Sequence, residues 1–292
     1  MARKNERQRR QAREKYRRQH EIRVARQRQL RKRWLTGTAV VLAAALIASL
    51  VLLFLPGASP KKAAASPSKS PSASPTASAT AVAEPAHHCA YTAATPVARK
   101  VSLPPTAPDY TSSYLATINT NLGKITFNLL NNKATCTVNS FVHLAEAGYF
   151  NHTQCHRLLT SGIYVLQCGD PYATATATLS CSTTSKIGTG TPGYDFASEN
   201  LTGAKYPTGT VAMANEGTAS TNGSQFFIVY KDSTSGLNGS SGPSFTPFAT
   251  VSSGLGIVQN VAKDGYSCQY AQAGGGVPKK KVIIDSVTIK KT

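Results

Sequence analysis

Apolar and polar positions along this chain fall into three regimes. Residues 36–55 read TGTAVVLAAALIASLVLLFL, an apolar run without a charge. Twenty residues of helix rise about 30 Å, the thickness of a bilayer's hydrocarbon layer. Residues 56–108 show no periodicity, and ten of the chain's sixteen prolines fall there among Ala, Ser and Thr. From Tyr110 the pattern becomes regular. YLATINTN and KITFNLL alternate around Leu122-Gly123 and predict a β-hairpin. CTVNSFVHLAEAGYF sets Val138, Phe141, Val142, Leu144 and Ala145 on one helical face, which Gly148 ends. IYVLQ, TVAMA, QFFIVY, FATV and VIIDSVTI predict further strands, and GLGIVQNVA a second short helix. Many strands, two helices and no βαβ alternation predict a mainly β fold, an antiparallel barrel or sandwich with helical caps.

Charge sharpens the first regime. Residues 1–33 hold fifteen Lys and Arg against Glu6, Glu14 and Glu21, while residues 109–292 hold twelve basic and nine acidic residues. Most of the net charge of +19 therefore sits in a short tail and not in the folded part. A basic chain invites a nucleic-acid reading. A basic tail abutting an apolar run more simply orients a membrane span and meets anionic headgroups. Arg31, Lys32 and Arg33 precede the run, and Trp34 suits the interface. The division expected is a cytoplasmic tail over 1–35, a transmembrane helix over 36–55, a disordered linker over 56–108 and an extracytoplasmic domain over 109–292. A cleaved signal peptide is the competing reading. The long basic segment and the length of the run favour an uncleaved anchor.

Six cysteines, Cys89, Cys136, Cys155, Cys168, Cys181 and Cys268, all follow the apolar run. An even number on an oxidising side of a membrane predicts disulfides. No CxxC occurs, so a zinc site is not expected, and the adjacent His87, His88 and Cys89 read as incidental. The chain order favours Cys136–Cys155, which would close a short loop after the first helix. It pairs the rest as Cys89–Cys168 and Cys181–Cys268. Cys168–Cys181 and buried free thiols are the alternatives.

Several segments then occur in order: CHRLL, YVLQCGDP, GTGTPGYDFASEN, GTVAMANEG, TNGSQFFIVY, TPFATV and KKKVIIDSVTI. Over about residues 112–290 this set resembles the cyclophilin family, in particular its bacterial membrane-anchored members. The resemblance implies a closed eight-stranded antiparallel barrel capped by two helices, with a groove on its outer face. It implies rotation of X–Pro peptide bonds without a cofactor, with proline-containing extracytoplasmic polypeptides as partners and the protein acting as a monomer. A cyclophilin-like module that holds clients without turnover is the alternative.

Rotation about X–Pro breaks amide resonance against a barrier of about 20 kcal/mol and cleaves no bond. A catalyst needs an apolar slot for the ring and a fixed donor for the twisted amide nitrogen, a role that suits a guanidinium. By the resemblance, Arg157 is that donor, Gln167 positions it and the substrate backbone, and Phe227 floors the proline pocket. Ala214 and Asn215 match the edge that pairs with the peptide, and Gln225 matches a further groove residue. His156 invites a general-base reading, but no triad partner lies nearby in sequence and packing is its expected role. The chain departs from the family pattern in places. Two extra residues separate Arg157 from Gln167, which brings Tyr164 and Val165 to positions usually held by Phe and Met. Phe245 stands where a pocket His is common, and Glu216 replaces a small residue. Trp34 is the sole tryptophan, so a groove Trp is absent and Leu237 is expected to fill part of its space. The loop 171–191 is longer than usual.

Overall fold

Period-two burial organises the domain. The computed structural model describes residues 88–292, except 218–219, 240–241 and 272–273. In chain order, β1 (Thr92–Ala93) lies in an N-terminal arm. β2 (Tyr114–Thr120) and β3 (Gly123–Leu129) form the predicted hairpin, with Ala116, Ile118, Ile125 and Phe127 buried on one face. Helix α1 (Thr135–Glu146) follows. Next come β4 (Thr153–Gln154), β5 (Arg157–Ser161), β6 (Ile163–Cys168) and β7 (Tyr194–Asp195). β8 (Thr210–Met213) and β9 (Phe226–Val229) precede the short helix α2 (Thr234–Asn238). The chain ends with β10 (Pro247–Ser253), α3 (Leu255–Asp264), β11 (Tyr266–Gln269), β12 (Gly276–Pro278) and β13 (Ile283–Lys291).

Eleven of these strands make one sheet in the order β11-β12-β5-β6-β9-β8-β10-β3-β2-β13-β4, and β1 pairs with β7 apart from it. This corrects the expectation of eight strands closed into a barrel under two helices. The ladder of pairings has two ends, and the described residues contain three helices. The segment that would run unbroken from Thr153 to Ser161 changes partner midway. Thr153 and Gln154 pair with β13, whereas Arg157 onward pairs with β6. Between them Cys155 N–H donates to Val282 O and His156 N–H to Gln167 O. β11 and β12 come from a glycine-rich stretch that no apolar run marks.

The main core lies on the face of the sheet that carries Phe127, Leu158, Leu166, Val211, Phe226, Ile228 and Phe248, covered by α1. Val138, Phe141, Leu144 and Ala145 of α1 are buried as the helical spacing predicts, and Val142 is partly buried. The Phe141 ring lies 5.2 Å from Phe150, 5.6 Å from Phe226 and 5.2 Å from Phe248. The start of α1 lacks a local side-chain cap. Glu199 supplies one from afar, accepting the N–H groups of Cys136 at 3.1 Å and Thr137 at 2.7 Å. A carboxylate there satisfies open donors and complements the helix dipole.

The linker boundary moves. Residues 88–108 are fixed to the domain by β1, by a Cys89–Cys136 disulfide and by Tyr91 Oη–H donating to Cys136 O at 2.9 Å. The basic tail, the apolar run and the linker up to residue 87 lie outside the described residues. Among the described residues no helix is long and apolar enough to cross a membrane.

The disulfides correct two of the three expected pairings. Cys136 bonds Cys89, because the arm crosses the first turn of α1. Cys155 bonds Cys168, because β6 ends beside the break between β4 and β5. Cys181–Cys268 is as expected. Non-reducing peptide mapping should recover these three pairs, and a Cys136–Cys155 peptide would contradict the fold. Closing a loop with a sequence separation of 47 contributes about 4 kcal/mol in chain-entropy estimates, so Cys89→Ala/Cys136→Ala should lower unfolding free energy by roughly 2–4 kcal/mol in a denaturant titration.

Candidate active site

The strands that build the core with one face build a second apolar cluster with the other. Register sets Arg157 opposite Gln167, Gln167 opposite Phe227, and Phe227 opposite Ala212. The next row on that face runs Leu159, Val165, Val229. The intervening row, Leu158, Leu166, Ile228 and Val211, points into the main core. Alternation across four neighbouring strands therefore lines up a cation, an amide and an aromatic ring. Phe227, Leu159, Val165, Val229, Ala212, Ala204, Tyr206 and Leu237 pack together, with Ile163, Ala214 and Phe245 against them. Phe227 meets Phe245 edge-on at 5.5 Å. Tyr206 Oη–H donates to Phe245 O at 2.7 Å and fixes that wall.

Polar links hold the cation in place. Arg157 donates from Nη1 to Gln167 Oε1 and from Nε to Gly274 O, both at 3.0 Å. Gln167 Nε2 donates to Gln225 Oε1 at 2.9 Å, and Gln225 Nε2 donates to Gly188 O and Gly190 O, each at 3.1 Å. The Gly188 N–H reaches the fully buried Asp170 carboxylate, which also accepts Tyr172 N–H at 2.8 Å. A Cβ on Gly190 would lie 2.1 Å from Asp170 Oδ1, so only glycine fits there. Burial pushes the Asp170 carboxyl up, and the N–H groups of Gly188, Tyr172 and Gly190 oppose it. Burial likewise lowers the Arg157 guanidinium, with Tyr270 opposing. A guanidinium remains charged under such a shift.

Most of the residues expected from sequence meet here. Val165, Phe245 and Leu237 join Phe227 in the apolar cluster. Ala214 N–H donates to Gln225 O at 2.9 Å. A cavity beside the row is lined by Gln167, Gln225, Ala214 and Asn215, with Asp195 and Glu216 supplying two carboxylates. The Asn215 side chain ties its loop to the segment before β10, donating to Ser244 O and accepting Gly217 N–H. Tyr164 is the exception. It pairs with Thr160, packs against the main core cluster, stacks edge-on to Tyr230 at 6.0 Å and carries Lys231 Nζ 4.5 Å from its ring centre. One residue of alternation separates it from the groove row that Val165 occupies. Asp170, Tyr206 and Gly274 escaped the sequence reading. Asp170 stands within QCGDP and could have been singled out, while nothing in the sequence marks Gly274.

The two extra residues between Arg157 and Gln167 leave the row intact. They lengthen the β5–β6 hairpin, whose turn at Gly162 has φ +74°. One residue per strand keeps both the pairing and the face. Among the described residues no group of three or more His, Cys, Asp or Glu is placed to hold a metal.

A family model described as "Cyclophilin type peptidyl-prolyl cis-trans isomerase/CLD" matches residues 115–289. The chain belongs to the cyclophilin family. It is 41% identical over 202 residues to a probable peptidyl-prolyl cis-trans isomerase B of Mycobacterium leprae, covering 63% of this chain and 59% of that protein. It is equally identical to the corresponding protein of Mycobacterium tuberculosis, of which 56% is covered. The chain thus spans less than two thirds of these relatives' length. A solved Cryptosporidium parvum cyclophilin type peptidyl-prolyl cis-trans isomerase is similar with TM-score 0.49 and 23% identity, over 62% of this chain and 99% of that one.

Within this cyclophilin fold, His156 joins the site through its backbone, its N–H donating to Gln167 O and its carbonyl accepting Tyr270 Oη–H, and not through its ring. It is buried, and among the described residues neither ring nitrogen has a hydrogen-bond partner. Burial, followed by the charge of Arg157, lowers its pKa to about 3, with the nearby Gln225 side chain opposing. An ordinary unfolded His has a pKa near 6.5. Between those values the unfolded chain binds the extra proton, so His156 makes folding less favourable as pH falls from about 6.5 toward 3. His156→Met should flatten this part of the stability–pH curve by up to about 1.4 kcal/mol per pH unit. Urea titrations of both proteins at several pH values measure it, and parallel curves would contradict the burial of a neutral imidazole.

Proposed function

We propose that the chain is a membrane-anchored peptidyl-prolyl isomerase acting on polypeptides outside the cytoplasmic membrane. The observation that carries the activity is the row Arg157, Gln167, Phe227, in register on one face of three neighbouring strands. A proline ring rests on Phe227 between Phe245 and Leu237. Gln167 and the edge at Ala214 and Asn215 hold the flanking backbone. As the amide twists, its nitrogen lone pair localises, and Arg157 donates to it. The guanidinium is already fixed by Gln167 and Gly274, so little reorganisation accompanies the step. No proton is transferred and no cofactor is required. The location is supported by the apolar run at 36–55 beside a basic tail and by six cysteines, all after the run and all in disulfides. On this reading the tail is cytoplasmic, the protein meets lipid through one helix, and it works as a monomer.

The full-length protein should accelerate cis-to-trans conversion of X–Pro peptides. Arg157→Ala should lower kcat/KM about a hundredfold, the loss of about 3 kcal/mol expected for one transition-state donor. A folded Arg157→Ala protein with wild-type turnover would sink this mechanism. A wild-type protein that binds X–Pro peptides without accelerating them would instead be a holding module.

A further inference from the structure

The strand that carries Arg157 is irregular just before it. Arg157 and Leu159 lie on the groove face and Leu158 in the main core, as alternation requires. Cys155, two residues before Arg157, should then share the groove face. It is instead buried in the main core, 4% exposed, together with Cys168. His156, between them, is buried as well. The hydrogen bonds show the same slip. In an unbroken ladder with Arg157 opposite Gln167, His156 would face Cys168. Here His156 N–H donates to Gln167 O, and the residue linked to Cys168 is Cys155, at a Cα separation of 4.0 Å. His156 and Arg157 therefore both stand opposite Gln167, a β-bulge of one extra residue where β5 begins. Bulges bend a strand and re-aim the side chains next to them, at the cost of ladder pairing.

Apart from the disulfide, the bulge has one backbone hydrogen bond to each side and one from Tyr270 Oη–H to His156 O at 3.1 Å, while neither ring nitrogen of the imidazole it buries has a hydrogen-bond partner among the described residues. A buried polar group left unsatisfied favours relaxation. Relaxing the bulge by one residue would turn Arg157 away from the row, because a slip of one exchanges the two faces.

We propose that the Cys155–Cys168 disulfide is a positioning element for Arg157. It locks the bulge so that the guanidinium faces the groove beside Gln167. The inference rests on the isomerase reading for its kinetic consequence. Its structural part, the aim of Arg157, stands apart from turnover. Opening the bond takes two electrons and two protons, for instance from a dithiol that becomes its own cyclic disulfide, and yields two thiols with no link across the bulge.

The test uses the oxidised full-length protein and Cys155→Ala/Cys168→Ala, with Cys155→Val/Cys168→Ala as a second variant should the first fail to fold. Cys89→Ala/Cys136→Ala is the control, since it also lacks one disulfide but leaves β5 and β6 untouched. Expected is a tenfold or greater fall in kcat for the Cys155/Cys168 variants, with KM within about twofold, and unchanged kcat for the control. Arg157→Ala should cost about a hundredfold in the wild-type background and far less where the bond is absent. A bond that merely added stability would leave the two effects multiplicative. The Arg157 Nε–H resonance, assigned by its loss in Arg157→Lys, reports the contact with Gly274 O without any turnover. It should be protected from exchange in wild type and lose protection in the variants. Folded variants with kcat within twofold of wild type, or with independent losses, or with an unchanged Nε–H resonance, would overturn the proposal. A wild type without turnover but with a protected Nε–H that the variants lose would fault the isomerase reading and leave the positioning role standing.

Discussion

An antiparallel ladder fixes which side chains meet, and in this domain the pairing of β5, β6 and β9 sets the central row of the site. Arg157, Gln167 and Phe227 occupy successive strands at one level. No loop has to bring them together. The same pairing sends Leu158, Leu166 and Ile228 into the core behind them. Core packing and site geometry are therefore two faces of a single constraint. A slip of one residue would expose the core row and bury the guanidinium, and the apolar contacts of Phe226 and Phe248 with Phe141 oppose it. A rigid sheet is a better platform for fixed donors than loops are, because the donors need not reorganise when charge shifts.

Beyond the ladder, order reaches the guanidinium through polar links. Asp170 gathers the N–H groups of the Gly188–Gly190 turn, the turn's carbonyls orient the Gln225 amide, and Gln225 orients Gln167. Each amide has its oxygen turned to a donor and its nitrogen to an acceptor, so the chain has a direction. Flipping Gln167 would set its nitrogen against Arg157, donor against donor. Burial makes such mismatches costly, since a lost partner is not replaced by water. The Asp170 carboxylate thus acts on Arg157 at a distance of several residues without touching it.

Much of this was legible in the sequence. Alternation predicts β2 and β3 and helical spacing the buried face of α1, because burial on one side leaves a period, while apolar runs bounded by turn residues predict β6, β8, β9, β10 and β13, of which β8 and β9 are buried on both faces. The order of CHRLL, QCGDP, AMAN and SQFF pointed to the groove residues, whose proximity follows once the strands pair. What failed has a physical reason. Tyr164 lies on the core side of β6, one residue from the groove row that Val165 occupies, and the face of a strand follows parity. Two of the three disulfides differ from expectation because Cys136–Cys155 rests on closeness along the chain, whereas bonds follow closeness in space. The arm that carries Cys89 looked like linker by its prolines, and a two-residue strand such as β1 leaves no periodic trace. β11 and β12 come from glycine-rich chain with the same deficit.

The long loop before β7 shows how such signal-poor chain becomes ordered. Residues 171–191 contain no helix or strand, and their backbone pairing is confined to isolated bridges of Thr174 with Thr153 and Thr191 with Val97. Their order comes from outside contacts. Cys181 is bonded to Cys268 of β11, Asp170 holds Gly188, and Thr191 Oγ1–H donates to Pro96 O of the arm at 2.6 Å. The arm continues into β1 against β7, and Val97 lies against Gly193. A covalent link between distant residues removes much of the entropy an unpaired loop would otherwise retain. Gly188, Gly190 and Thr191 also line the cavity beside Gln167. The wall of the cavity is therefore held partly by the N-terminal arm. The arm pairs with β7 and touches neither β5 nor β9 through the ladder, so it braces this wall apart from the strands that bear Arg157 and Phe227.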